Sequence, residues 1–168
     1  MSKPGTVPRK SKGSSKPGSD AIKVILRNKR ARHDYHVEQT VEAGIELRGS
    51  EVKSLREGSA SLSDAYAAVE RGQMYLMQMQ INEYPFANYF QHEPKRKRRL
   101  LLHKSEIEEL GHATQADGYT LLPLEVYIKQ GRVKVELGLC KGKQQHDKRA
   151  SERERDDKRE IARAMRHR

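Results

Sequence analysis

Nearly every apolar residue able to build a core lies between Ile22 and Cys140, in short runs separated by turn residues. That layout restricts the chain to one β-rich domain with polar flanks, and 168 residues suit a single domain whose core needs no disulfide or metal. From Tyr35 the pattern has a period of two. Val41, Ala43, Ile45 and Leu47 alternate with Glu42, Gly44 and Glu46, as in a half-buried strand, with Gly44 expected at a bend or bulge. Ser50 reads as the N-cap of a short helix through Val52 and Leu55 that stops at Gly58. Ala65–Val69 and Met74–Ile81 read as a hairpin about Arg71-Gly72, and Tyr119–Ile128 and Arg132–Leu139 as another about Gln130-Gly131. Tyr84–Pro94 is an irregular loop. Ser105 and Glu108 have capping-box spacing, which starts a helix at Glu106. About six strands and two or three short helices, without βαβ repeats, suit a small closed or partly closed antiparallel barrel, an architecture that often carries oligonucleotides.

The flanks carry the charge. The net charge is +11, but residues 1–32 hold ten basic and one acidic side chain and residues 141–168 hold eleven and six. The middle is slightly acidic and contains one basic run, Lys95–Arg99. Basic ends of this kind attract a polyanion in a salt-dependent manner. No apolar run approaches the roughly 20 residues of a membrane span, and the N-terminus lacks a signal-peptide core, so a cytoplasmic location is expected. The single cysteine, Cys140, excludes an internal disulfide and a cysteine-based metal cluster. Residues 1–20, rich in Ser, Gly, Pro and Lys, form a flexible basic arm. Residues 146–168 are rich in helix formers and almost devoid of apolar side chains, which predicts a tail disordered when free and helical when bound.

Several stretches together resemble the small protein B (SmpB) family. They are Asn28-Lys29-Arg30-Ala31-Arg32-His33-Asp34-Tyr35, Glu42-Ala43-Gly44-Ile45 running to Gly49, and Glu51-Val52-Lys53-Ser54-Leu55-Arg56. Arg99-Leu100-Leu101-Leu102-His103, Gly118-Tyr119-Thr120 and Lys141-Gly142-Lys143 with His146-Asp147-Lys148-Arg149 follow in order. The resemblance covers about residues 22–168. It implies an OB-like barrel, here over residues 21–145, with peripheral helices; separately, the lack of a Gly-rich phosphate loop, an HExxH pair or a cysteine cluster argues against enzymatic activity, a cofactor or a metal. It implies a part in trans-translation: the protein, expected to be a monomer because no heptad or strong interface stripe is present, binds the tRNA-like domain of transfer-messenger RNA (tmRNA, also SsrA) and brings it to the A site of a stalled 70S ribosome. There the tail enters the empty mRNA path as a helix, so that the nascent chain is tagged and the ribosome rescued. Elongation factor Tu, carrying aminoacylated tmRNA, is a further implied partner. The family's RNA-contacting glutamate falls on Glu42, its apolar contact on Leu101 and its basic contact on Lys134. The tail signature falls on Asp147, Lys148 and Arg149. This chain departs at His103, where many members have Asn, and at Gln144, where many have Lys.

The candidate RNA-binding set is therefore Asn28, Lys29, Arg30, Arg32, His33, Tyr35, Glu42, Arg99, Leu101, Lys134, Gly142 and Lys143. The candidate ribosome-binding tail set is His146, Asp147, Lys148, Arg149, Arg155, Arg159, Ile161, Arg163 and Met165. Lys29, Arg30, Arg32 and Lys134 can each pair with phosphate, or equally be solvated surface charges. A carboxylate at Glu42 repels phosphate, so its use is to accept from a base amino group or ribose hydroxyl, unless it merely pairs with a neighbouring cation. Leu101 alone reads as core. His33, Tyr35 and Tyr89 can stack on bases or pack at strand ends. Arg155, Arg159 and Arg163 recur every four residues, and Ile161, Ala164 and Met165 form a patch that fits a partner groove. Two rival readings stand beside this one. His33-Asp34-Tyr35-His36 superficially resembles a metal cluster, but a strand would divide it between two faces and no catalytic motif accompanies it. A general OB-type RNA binder explains the charge and barrel but leaves the tail without a use.

Overall fold

A computed structural model describes residues 22–87, 91–116 and 118–166. The expected arm at 1–20 and the stacking candidate Tyr89 lie outside the described residues. The strands are β1 (Lys23–Arg27), β2 (Tyr35–Ile45), β3 (Ala60–Ser61), β4 (Tyr66–Glu70), β5 (Gln73–Met77), β6 (Gln80–Ile81), β7 (Arg98–Leu101), β8 (Tyr119–Lys129) and β9 (Arg132–Gly142). The helices are α1 (Lys29–Asp34), α2 (Gly49–Arg56), α3 (Lys104–Ala113) and α4 (Gln145–Arg166).

Antiparallel pairing runs β8-β4-β5-β7-β2-β9 and returns from β9 to β8, closing a six-stranded barrel of the kind the alternation predicts. β1 extends β8 beyond the ring, and β3 with β6 makes a separate small ladder. Inward residues from every wall, among them Ala43, Met74, Leu76, Leu100, Leu121, Val135 and Leu137, fill the interior. Both expected tight hairpins form. Arg71-Gly72 and Gln130-Gly131 each take positive φ at two successive residues, the turn geometry whose twist matches the flanking strands.

Local details differ from the sequence reading, each for a visible reason. Met74–Ile81 is not one strand: Gln78 takes a φ of 57°, and β6 turns away to pair with β3. Ser50 does not cap α2. Its hydroxyl meets buried His92 Nδ1 at 3.0 Å, while Arg48 is the N-cap and its N–H donates to Glu51 at 2.6 Å. α3 begins at Lys104, because the Glu106 carboxylate accepts the His103 N–H at 2.8 Å in place of the expected Ser105–Glu108 box. Gly44 sits in register with both Leu101 and Lys134, and the β2 bulge lies between Val37 and Gln39. His33 and Asp34 end α1 instead of belonging to a strand.

Most of the Lys95–Arg99 run is paired within the protein, at its surface except for Arg98. Glu51 and Arg98 are both fully buried and pair at 2.8 Å. Arg96 adds bonds of 2.8 and 2.6 Å to the two Glu51 oxygens, and Arg98 also donates to the carbonyls of Met79, Pro94 and Arg96. Lys97 pairs with Glu70 and Arg99 with Glu46. Burial alone would raise the Glu51 pKa. The Arg96 hydrogen bond, the Arg48 N–H and the Arg98 charge outweigh it and hold the carboxyl below its ordinary 4.5.

Removing one member of a buried pair strands the other, at a cost of about 3–5 kcal/mol. Glu51→Gln should lower stability by about that much in urea unfolding, whereas a Glu51→Leu/Arg98→Met double variant should lose far less. Because the folded Glu51 pKa is depressed, its contribution is present at neutral pH and is lost as pH falls through and below the carboxylate range. Wild-type stability should therefore drop with acid, and Glu51→Gln should flatten that drop.

Candidate nucleic-acid interface

Three strands deliver the three principal candidates to one place. Glu42 on β2, Leu101 and Arg99 on β7 and Lys134 on β9 line an open groove of about 550 Å³ together with Gly44, Gln73, Leu102, His103 and Glu106. The burial of β7 alternates, with Arg98 and Leu100 inward and Arg99 and Leu101 outward. Leu101 is thus 50% exposed, which overturns its reading as core. Gly44 lets it lie there: a Cβ on Gly44 would come within 3.1 Å of Leu101 Cβ. The close approach of a neighbouring strand is the reason for this glycine, not a bulge.

Glu42 is held from three sides. Tyr127 Oη donates to its Oε2 at 2.5 Å, Lys129 Nζ lies 3.0 Å from the same oxygen, and Lys134 Nζ lies 3.7 Å from Oε1. The Tyr127 hydrogen bond first, then Lys129, depress the Glu42 pKa, and Tyr127 is correspondingly raised by burial and by Glu42. Glu42 is therefore a fixed carboxylate with one oxygen engaged closely and the other, among the described residues, held by the longer Lys134 contact. Sequence reasoning missed Tyr127 and Lys129. Their i, i+2 spacing puts them on one face of β8, but only the Tyr127↔Lys134 register brings that face beside Glu42.

The remaining candidates cluster around α1. Asn28 is a buried N-cap: its Oδ1 accepts the Ala31 N–H at 3.0 Å, and its Nδ2 donates to the carbonyls of Leu62 and Pro123. That side chain positions α1 and is turned away from solvent. Arg32 bridges Glu125 and Glu136, and Arg30 reaches Asp34 and Asp64 at 3.6 and 3.9 Å. Lys29 is exposed and makes no ion pair among the described residues. Tyr35 is half-buried against Ala31, Leu124 and Cys140. Gly142 ends β9, and the Lys143 N–H donates to Asp34 O at 2.9 Å, joining the strand end to α1. Burial pushes the Cys140 thiol up to about 11, far from nucleophilic.

On α4, Asp147, Arg149, Arg155, Arg159, Ile161, Arg163 and Met165 are exposed, with Ile161 at 55% and Met165 at 75%. His146 and Lys148 belong to the helix, but their side chains lie outside the described residues. The helix pairs Glu154 with Lys158 and Asp156 with Arg159. Glu152 instead meets His33 Nε2 at 2.8 Å, while His33 Nδ1 meets Asp34 at 2.8 Å.

The Asp34 hydrogen bond first, then that of Glu152, raise the His33 pKa above its ordinary 6.5. The imidazolium contact with α4 is therefore fully present below 6.5 and lost as pH rises through the raised folded value. In an NMR pH titration, the Glu152 amide should shift with a midpoint above 6.5, and His33→Gln should abolish the transition. A His33 midpoint at or below 6.5 contradicts the contact.

Comparison with known proteins follows the same geometry. The SmpB protein family model matches residues 25–167. The SsrA-binding protein of Staphylococcus epidermidis is 49% identical over 157 residues, 94% of this chain and 97% of the relative. That of Pelotomaculum thermopropionicum is 53% identical over 148 residues, 88% and 97% of the two chains. A solved structure described as "tmRNA-SmpB: a journey to the center of the bacterial ribosome" aligns with a TM-score of 0.62 and 46% identity, covering 73% of this chain and 85% of that one. A family match across the barrel and the tail helix, with relatives near half identity over almost their full length, leaves one assignment: the chain belongs to the SmpB family.

Proposed function

We propose that this protein binds the tRNA-like domain of tmRNA through the Glu42–Leu101–Lys134 groove and acts in trans-translation. It carries tmRNA to the A site of a stalled ribosome, where its tail occupies the empty mRNA path. The observation that carries this reading is the convergence of the three side chains from β2, β7 and β9 on one surface. A fixed carboxylate, an outward leucine and a lysine supply an acceptor for a base or ribose donor, an apolar surface for an unstacked base and a phosphate contact. The names of the relatives and of the solved structure support the same partner. The protein performs no catalysis in this reading. Tagging chemistry belongs to the RNA and the ribosome, and elongation factor Tu joins through the aminoacylated RNA. Work on ribosomes places it in the cytoplasm; no helix among the described residues is long and apolar enough to cross a membrane.

The division of labour is physical. The barrel reads a folded RNA with a neutralised, shaped groove. The tail offers Arg155, Arg159 and Arg163 to RNA walls, and Ile161 and Met165 to an apolar contact that the barrel does not provide.

Binding to the tRNA-like domain should exceed binding to an ordinary tRNA at matched near-physiological salt. Glu42→Ala should lose about tenfold to a hundredfold of that affinity, the worth of one good directed hydrogen-bond contact. Removal of residues 147–168 should leave the preference intact and abolish tagging. Equal binding to both RNAs, vanishing as salt rises, refutes the reading and leaves only charge. In a reconstituted tagging assay, Met165→Asp should cripple tagging with RNA affinity unchanged; wild-type tagging removes the apolar patch from the mechanism.

A further inference from the structure

The groove does not end at Leu101. On its other side lies a second cleft of about 340 Å³, lined by Ile45, Leu47, Val52 and Val133, with Arg132 and Lys134 at its charged side. The two hollows share Gly44, Leu101 and Lys134, so Leu101 is a ridge between them and Lys134 reaches both. Their characters differ. The first is polar and anchored by Glu42, whereas the second is mostly apolar and holds no carboxylate in its lining. Of its two cations only one is neutralised among the described residues. Arg99 pairs with Glu46, and Lys129 and Lys134 pair with Glu42, but Arg132 is exposed and makes no ion pair among the described residues.

An apolar slot beside an unpaired guanidinium matches one nucleotide: a flat base for the slot and a phosphate for the arginine. We propose that this cleft receives a single unpaired base of the RNA held in the Glu42 groove, with Arg132 on the adjoining phosphate. Val52, Val133 and Arg132 thereby become RNA-contacting residues. The inference rests on the RNA-binding reading of the first groove. The strand crosses Leu101 and sets one nucleotide on either side of it, and Lys134 neutralises the backbone at the crossing. Selectivity for an RNA whose loop can splay a base follows, because a fully stacked duplex has no base to offer.

The test is binding of full-length protein to the tRNA-like domain across a salt series, comparing wild type with Val52→Gln, Val133→Thr, Arg132→Gln and Leu101→Ala. Thermal melting reports folding, and the near-isosteric Val133→Thr keeps the slot testable if Val52→Gln is unstable. The expected result is about a tenfold loss for each valine variant with the salt slope unchanged. Arg132→Gln should lower the slope of log affinity against log salt by about one. Wild-type affinity and slope in folded Val133→Thr and Arg132→Gln, with Leu101→Ala impaired, overturn the cleft while the groove stands. The same wild-type RNA binding accompanied by lost tagging assigns the cleft to another partner and equally overturns it. Equal binding of wild type to the tRNA-like domain and an ordinary tRNA overturns the RNA reading itself.

Discussion

The Glu51–Arg98 pair sets the phase of β7, and the site depends on that phase. Side chains alternate across a strand, so a one-residue slip exchanges the inner and outer sets. Here such a slip would bury Leu101 and expose Leu100. Three consecutive leucines, Leu100, Leu101 and Leu102, would tolerate either arrangement on hydrophobicity alone. A guanidinium at Arg98 with five donors and one fixed carboxylate partner tolerates only one. An ion pair of this kind is a weak source of net stability compared with apolar side chains of similar volume. What it supplies is registration: α2, β7 and the segment around Pro94 all donate to or accept from the same two residues.

The long strands β2, β8 and β9 and both hairpins were legible because periodicity and turn chemistry are local, whereas the short strands β3, β6 and β7 were not. Leu101, Gly44 and the basic run were not, because their roles depend on partners far along the chain. Leu101 is outward only because Arg98 is inward. Gly44 is small because Leu101 crosses it, 57 residues away in sequence. Four of the five cations of Lys95–Arg99 face carboxylates, Arg96 and Arg98 sharing Glu51, Lys97 meeting Glu70 and Arg99 meeting Glu46, and none of these pairs is visible in composition. Asn28 shows the opposite error. In the sequence it sits within a basic motif and invites an RNA role, whereas its buried amide serves the fold by fastening α1 to the barrel. The resemblance marks out a motif without distinguishing residues that touch solvent from residues that hold the others in place.

Charge is distributed in keeping with this division. Among the described residues around the groove each cation but Arg132 has a carboxylate near it, and the net positive charge lies in the two ends of the chain. Unspecific attraction to a polyanion is long-ranged and needs no geometry, so it can be carried by the ends. Discrimination needs fixed donors, acceptors and shape, and a groove whose own charges are largely balanced is less prone to bind any phosphate backbone indiscriminately.

The tail helix obeys a different rule from the barrel. Within α4 the stabilising contacts are exposed pairs three or four residues apart, each worth about 0.3–0.5 kcal/mol at most. Ile161 and Met165 bury little, and the His33–Glu152 contact fixes the helix only near its start. A helix with so little tertiary support takes its order from whatever lies along it. That is the property the proposed role asks of a segment that accompanies a folded RNA through solution and then threads a channel. A tail docked firmly on the barrel would have to be released first, whereas the bridged imidazole of His33, a side-chain contact to Glu152, yields as its proton is lost.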